Sequence, residues 1–109
     1  MGKPDLLPGT LDMLVLKTLN RAPLHGYGIA QSIKRMSDDV LTVEEGSLYP
    51  ALQRLLLQGW VTAEWKMTDT KRRARFYKLT VAGRKQLGVE VSEFEQMIAA
   101  ISRVLAEQA

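Results

Sequence analysis

The first sixty residues carry hydrophobic positions at helical spacing, interrupted twice by short polar segments. A first helix is predicted from Thr10, a candidate N-cap, to the residues before Pro23, which cannot continue a helix. A second helix is predicted after the segment LHGYG at residues 24–28, with an apolar face that runs on to about Asp38. This part of the chain is therefore expected to be helical.

The segment EEGSLYPALQRL at residues 44–55 predicts a third helix with an unusual beginning. Ser47 is a candidate N-cap, which puts Pro50 near the third helical position, where a missing amide costs little. Gly59 is a suitable stop. The face expected to pack inward carries Leu48, Leu52 and Leu55. The opposite face carries Gly46, Pro50, Gln53 and Arg54, with Ser47 and Tyr49 at its flanks.

After this helix the pattern changes to alternation with a period of two. The segments WVTAEWKM (60–67) and RFYKLT (75–80) both alternate apolar and polar residues, as half-buried strands do. The polar and basic segment TDTKRRA (68–74) between them predicts a long hairpin loop. Trp60 and Trp65 fall on opposite sides of the first strand, so both are not expected in one core.

A long final helix is expected after Thr80, its predicted N-cap. Its apolar residues are spaced 4, 3, 4, 3 and 4 apart, which is the seam of a coiled coil. A single copy would expose this seam, so we predict that it forms a homodimer. The seam consists of Leu87, Val91, Phe94, Ile98, Ile101 and Leu105.

The order of these elements predicts the fold class. Three helices, a hairpin and one long helix form a winged helix-turn-helix, an α+β fold that is mostly α. We expect residues 1–80 to form a DNA-binding domain and residues 81–109 to form a C-terminal dimerisation helix.

Composition excludes several function classes. The 109 residues contain no cysteine, which removes disulfides and cysteine nucleophiles, and a single histidine, His25, cannot form a multi-histidine metal site. His25 is expected to cap the second helix, and Tyr27 to lie in the core. No catalytic motif, spanning apolar segment or signal peptide in residues 1–9 is recognisable. We therefore predict a cytoplasmic, nucleoid-associated protein that is not an enzyme and has no metal, cofactor or membrane partner.

Charge is distributed unevenly along the chain. Residues 60–85 contain eight basic and two acidic side chains, a local charge of +6, whereas residues 86–109 have a local charge of −3. A basic hairpin loop beside a helix with Gln53 and Arg54 suits double-stranded DNA, because these two side chains can contact base edges. Gly46 and Ser47 would let a phosphate approach the helix N-terminus. The alternative is that Arg54 is only solvated.

Three segments carry a family resemblance. LHGYGI at 24–29, GSLYPALQRL at 46–55 with GWV at 59–61, and RFYKLTVAGRKQL at 75–87 closely resemble the PadR family of bacterial transcriptional regulators. The resemblance covers nearly the whole chain and is to the short subfamily with one C-terminal helix. It implies a winged-helix homodimer that represses a palindromic operator. Some members release DNA when a phenolic acid or a multidrug-type aromatic compound binds.

Carried over by position, the resemblance implies DNA contacts on the third helix and on the hairpin loop. These contacts would come from Ser47, Tyr49, Pro50, Gln53, Lys71, Arg72, Arg73 and Arg75. Two departures from the family pattern stand out: Leu56 replaces a common acidic residue, and Phe94 stands where multidrug-sensing members have tryptophan. Phe94 and Met97 are candidates for a small aromatic effector site, with plain core packing as the alternative. A second reading of the whole chain is a winged-helix protein-interaction module with only nonspecific DNA affinity.

Overall fold

The computed structural model describes Leu6 and residues 9–107. Residues 1–5, 7, 8, 108 and 109, which include most of the segment tested for a signal peptide, lie outside the described part. Within it the chain forms four helices and three strands. These are α1 (Thr10–Leu19), β1 (Leu24–His25), α2 (Gly26–Met36), α3 (Glu45–Leu57), β2 (Val61–Met67), β3 (Arg73–Leu79) and α4 (Val81–Ala106).

The first helix is shorter than predicted, and its cap is different. Gly9, with φ of 85°, is the N-cap residue and no side chain caps the helix, so the prediction for Thr10 is wrong. Helix α1 ends at Leu19, before Pro23, because the chain turns at residues 20–22 to enter β1. Helix α2 begins at Gly26, inside the segment that was predicted to precede it. It ends at Met36, two residues before the predicted Asp38, which has left-handed backbone angles.

His25 caps α2 as predicted. Its Nδ1 atom accepts a 3.0 Å hydrogen bond from the amide of Gly28. His25 also belongs to a strand that the sequence did not reveal, since β1 pairs with β3 through Leu24 opposite Tyr77 and His25 opposite Phe76. Two residues are too few for an alternating pattern, so the predicted two-stranded hairpin is in fact part of a three-stranded sheet.

Strand β3 begins two residues earlier than predicted, so the hairpin loop is shorter. Strands β2 and β3 pair antiparallel from Val61 opposite Leu79 to Met67 opposite Arg73. The loop therefore contains residues 68–72 instead of 68–74. In the sheet, β3 lies between β1 and β2. This hairpin is the wing of a winged helix-turn-helix in which α2, residues 37–44 and α3 form the helix-turn-helix.

The hydrophobic core lies between the helices and the inner face of the sheet. It includes Val15, Leu16, Ile29, Ile33, Leu48, Leu52, Leu55, Val61, Tyr77, Leu79 and Leu87, all buried. The start of α4 belongs to this core. Thr80 caps α4 as predicted, because its hydroxyl accepts the amide of Gly83 at 2.9 Å. Gly83 itself lies so close to the carbonyl of Trp60 that a Cβ atom would collide with it.

The rest of α4 extends away from this core. Its 26 residues correspond to a rod of about 39 Å, and the described chain measures 59 × 34 × 21 Å along its principal axes. Among the described helices, none is both long and apolar enough to cross a membrane.

Candidate nucleic-acid interface

Helix α3 begins three residues earlier than the sequence predicts. Glu44 is the N-cap residue, and its carbonyl accepts the amides of Ser47 at 3.0 Å and Leu48 at 2.9 Å. The prediction that Ser47 caps the helix is therefore wrong, and Pro50 stands at the sixth helical position. Pro50 lacks the amide that would bond to the carbonyl of Gly46. Because both residues are exposed, water can replace that bond.

The open face of α3 carries small and polar residues. It is formed by Gly46, Ser47, Tyr49, Pro50 and Gln53, which are all exposed. A Cβ atom on Gly46 would meet nothing within 4 Å. Another molecule can therefore approach the backbone closely at this point.

Two carboxylates stand at the beginning of α3. Glu44 and Glu45 are both exposed and lie at the positive end of the helix dipole, which stabilises them. Their charge repels another anion. The structure therefore does not favour the phosphate contact expected at Gly46 and Ser47, and leaves the open face suited to neutral hydrogen-bonding partners.

The ring of Tyr49 packs closely against a glycine of the preceding helix. A Cβ atom on Gly26 would lie 3.0 Å from the Tyr49 hydroxyl oxygen and 3.3 Å from its ring. Gly26 is buried, whereas Tyr49 is half-exposed. The glycine in the LHGYG segment thus allows the phenol ring to rest on the start of α2 with its outer edge exposed.

The polar face of α2 was missed at the sequence level. Tyr27, predicted to lie in the core, is 70% exposed, and its hydroxyl accepts a 2.6 Å hydrogen bond from Gln31 Nε2. With Lys34 these residues line a shallow hollow of about 280 Å³ that Tyr49 also borders. The spacing of residues 27, 31 and 34 would have revealed this face on a helical wheel, opposite Ile29 and Ile33.

The wing turn is closed by threonine hydrogen bonds. The carbonyl of Thr68 accepts the amide of Lys71 at 2.9 Å, and its hydroxyl accepts the amide of Arg72 at 3.1 Å. Lys71 has φ of 60°, a left-handed conformation that is unusual for lysine. We use the name basic wing for Lys71, Arg72, Arg73 and Arg75, which are all exposed.

Aromatic rings of the wing support two of these arginines. The guanidinium carbon of Arg73 lies 5.1 Å from the ring centre of Trp65, and that of Arg75 lies 5.8 Å from the ring centre of Tyr77. These distances are in the range of cation–π attraction. Trp65 is 58% exposed, whereas Trp60 is only partly exposed beside the core. The two tryptophans therefore occupy different environments as predicted, although Trp60 precedes β2 and is not part of the strand.

Arg54 is not part of the open face of α3, because its side chain binds to α1. Its Nη2 and Nε atoms donate hydrogen bonds of 2.7 and 3.2 Å to the two carboxylate oxygens of Asp12 in α1. This hydrogen bonding raises the pKa of Arg54 above its ordinary value, against a smaller lowering by burial. The structure thus engages Arg54 with α1, and the predicted contact of Arg54 with DNA stays a prediction.

Arg54 and Asp12 also line a cleft that reaches α4. The cleft has a volume of about 540 Å³, and its apolar wall includes Trp60, Phe94 and Met97. The structure therefore brings the two predicted effector residues together in one cleft. Polar side chains at its border include Glu90 and Glu93. Leu57, the neighbour of the unusual Leu56, is 78% exposed and borders the same cleft.

Exposure increases along the predicted seam of α4. Leu87 is buried, Val91 and Phe94 are half-buried, and Ile98, Ile101 and Leu105 are exposed. Leu87 is thus used by the core of its own chain, which corrects its predicted place in a dimer contact. Beyond the core the seam lies open.

In the described part of the chain, every buried side-chain nitrogen or oxygen has a hydrogen-bond partner. The same residues contain no group of three or more potential ligand side chains that could hold a metal ion.

Comparison with known proteins points to one family. The sequence model of the transcriptional regulator PadR-like family matches residues 15–89. The structure resembles that of a PadR family transcriptional regulator from Eggerthella lenta, with 30% identity and a TM-score of 0.76 over 92% of this chain and 85% of that one. It also resembles a transcriptional regulator from Clostridium thermocellum, with 27% identity and a TM-score of 0.77 over 84% and 89% of the two chains.

A curated relative extends the comparison to a protein of named function. The negative transcriptional regulator PadR of Bacillus subtilis is 27% identical over 77 residues, which are 71% of this chain and 42% of that protein. The similarity therefore spans less than half of the Bacillus protein.

Proposed function

The chain belongs to the PadR-like family of transcriptional regulators, as its motifs predicted, and we propose that it is a homodimeric repressor of a palindromic operator. Family membership makes it a DNA-binding regulator of transcription and not an enzyme. The repressor role, the symmetric operator and the dimer are the further steps that we propose. Its place of action would be the cytoplasm, on nucleoid DNA.

The observation that carries this proposal is that the chain exposes both the open face of α3 and the basic wing. Gln53 has an amide that can pair with an adenine edge in the major groove, where an α-helix fits. Ser47 and Tyr49 add hydroxyl groups on the same face. Gly46 has no side chain and the ring of Pro50 is compact, so the bases can approach this surface closely.

Phosphate contacts fall to the basic wing in this proposal. Lys71 and Arg72 are in the turn, and Arg73 and Arg75 follow on β3 over aromatic rings. Such a hairpin can lie along the DNA backbone or enter an adjacent minor groove. Binding would then fall steeply as salt rises, because each neutralised phosphate releases counterions.

The exposed seam of α4 supports the dimer. Ile98, Ile101 and Leu105 would leave water on pairing with a second copy, at roughly 25 cal/mol per Å² of apolar surface buried. A twofold axis through such a pair can set two α3 helices about 34 Å apart, one turn of DNA. Residues 1–80 would then recognise DNA and residues 81–109 would dimerise, apart from the core residue Leu87.

A small aromatic effector is the second part of the proposal. The cleft of about 540 Å³ lies within the usual range of small-molecule sites and has Trp60 and Phe94 in its wall. A ligand there would quench Trp60 fluorescence, which a Trp65→Phe variant isolates. A screen of aromatic acids and aromatic cations that leaves both the fluorescence and DNA affinity unchanged would remove the effector from the proposal.

The experiment that tests the repressor is selection of bound duplexes from a random pool at about 150 mM salt. An enriched palindrome with half-sites about one helical turn apart supports the proposal. An unenriched pool would contradict it. The favoured reading would then be the protein-interaction module, with partners docking on the seam of α4.

A further inference from the structure

The ion pair between Asp12 and Arg54 joins α3 to α1 through two hydrogen bonds. The Nη2 atom of Arg54 donates to Oδ1 of Asp12 at 2.7 Å, and its Nε atom donates to Oδ2 at 3.2 Å. The Asp12 side chain is only 17% exposed, whereas that of Arg54 is 55% exposed. Such a two-point contact fixes direction as well as distance.

Helix α3 also contacts the body through its buried leucines. Leu48, Leu52 and Leu55 fill the core and prevent large rotations of α3, whereas the two-point ion pair restricts smaller ones. A rotation of α3 by about 20° about its own axis would move a side-chain tip roughly 5–6 Å from the axis by about 2 Å. That movement is enough to break a hydrogen bond to a base edge. Gln53, which is proposed to pair with a base edge, is the residue next to Arg54.

Direct DNA contact through the Nε and Nη2 edge of Arg54 would require that edge to leave Asp12. The mostly buried carboxylate would then lose its partner, which is unfavourable for a charged group. The basic wing supplies cations without this loss, because none of its four residues forms an ion pair within the described part of the chain.

We propose that Arg54 is a positioning residue, which with Asp12 fixes the rotation of α3 on α1 and does not itself touch DNA. This inference rests on the proposed function, because it assigns a role in operator reading. It also gives the cleft a connection to DNA, since both members of the pair line the cavity that Phe94 and Met97 border.

The decisive variant is Asp12→Asn, for which the two roles of Arg54 predict opposite signs. If Arg54 positions α3, affinity for the selected operator falls about tenfold, while affinity for random duplex stays within about twofold. If Arg54 contacts DNA, removing the carboxylate frees it and affinity for both duplexes rises. A rise of this kind overturns the proposal.

The salt dependence of Arg54→Gln provides a second readout. A positioning residue leaves the slope of log affinity against log salt unchanged, whereas loss of a phosphate contact reduces it by about 1. The reversed pair, Asp12→Arg with Arg54→Asp, should bind the operator better than either single reversal. Recovery will be partial, because arginine is unfavourable in the first turn of α1. No recovery counts against the proposal.

Thermal unfolding separates this test from the test of the repressor. Asp12→Asn and Arg54→Gln should each lower Tm by about 4–8 °C, and the double variant should lower it by much less than their sum. The control pair Glu64 and Lys66, 3.1 Å apart and exposed on β2, should show additive effects of glutamine substitution. Additive effects at Asp12 and Arg54 overturn the pair even if the operator is found. If the two substitutions are coupled in stability but no operator is selected, only the repressor proposal is overturned.

Discussion

Helices α3 and α4 leave very different surfaces open. Helix α3 buries Leu48, Leu52 and Leu55 in the core and exposes the small and polar residues of its open face. Helix α4 buries only its beginning and exposes Ile98, Ile101 and Leu105 further on. A polar open surface is stable in water and available to DNA, whereas an apolar open surface calls for a protein partner. This contrast supports the proposed roles, in which α3 reads DNA and α4 forms the dimer.

The largest expected effect tests the proposed dimer contact through the seam of α4. Ile98→Glu with Ile101→Glu would place two charges in the proposed seam, and loss of a central contact costs about 2 kcal/mol or more each. We expect sedimentation to report a monomer and operator affinity to fall by more than about 100-fold, because two half-sites are no longer bound together. Random-duplex affinity should change far less.

The control for this variant is Gln96→Glu, which adds a charge on the other side of α4. It should leave the dimer intact. If the double seam variant still sediments as a dimer with full operator affinity, the seam is not the interface and the contrast between the helices is wrong.

The second prediction tests where α4 is anchored. A Cβ atom on Gly83 would collide with the carbonyl of Trp60, a backbone atom with little freedom to move. Gly83→Ala should therefore destabilise the protein by about 1–3 kcal/mol, measured by urea unfolding. Gly88→Ala is the matched control, since nothing lies within 4 Å of its Cβ position. If both variants unfold alike, the start of α4 does not pack on the core as described.

The sequence predicted most of the difference between α3 and α4, but it did not predict where α3 begins or that β1 exists. The helical periods and the change to alternation after Gly59 reflect burial, which is a local pattern, so the winged helix-turn-helix could be predicted. The cap at Glu44 could not, because the helix begins with an extended residue whose carbonyl, not its side chain, accepts the first amides. Likewise β1 depends on pairing with Tyr77, more than fifty residues away.

The candidate site shows the same division. The exposure of Ser47, Pro50 and Gln53 follows from helix geometry and was predicted. The engagement of Arg54 by Asp12, 42 residues earlier, depends on how α1 and α3 cross, which no local pattern records. Tyr27 was misplaced for a different reason, since an aromatic residue was assumed to be core although its position on the helical wheel is polar.

The third prediction tests whether two residues that are proposed to contact DNA have different roles. Gln53→Ala should change which base is preferred at one position, by about 1–3 kcal/mol of discrimination. Arg73→Ala should weaken binding to all duplexes alike and reduce the salt slope by about 1, because it removes a phosphate contact. Sequencing of the pool selected by each variant, with titrations at several salt concentrations, measures both. Equal effects of the two changes on operator and random DNA would remove the distinction.

The smallest expected effect compares two glycines in similar surroundings. Gly46 in α3 and Gly88 in α4 are both exposed and helical, and a Cβ atom on either would meet nothing within 4 Å. Alanine is the better helix former by about 0.5–1 kcal/mol, so both substitutions should raise Tm slightly. Their consequences for DNA should differ. Gly46→Ala adds a methyl group where the bases are proposed to approach, and should lower operator affinity several-fold despite the gain in stability. Gly88→Ala should leave it unchanged. Equal operator affinity for the two variants would mean that DNA does not come close to the head of α3, and that the open face reads bases only from Gln53 onward.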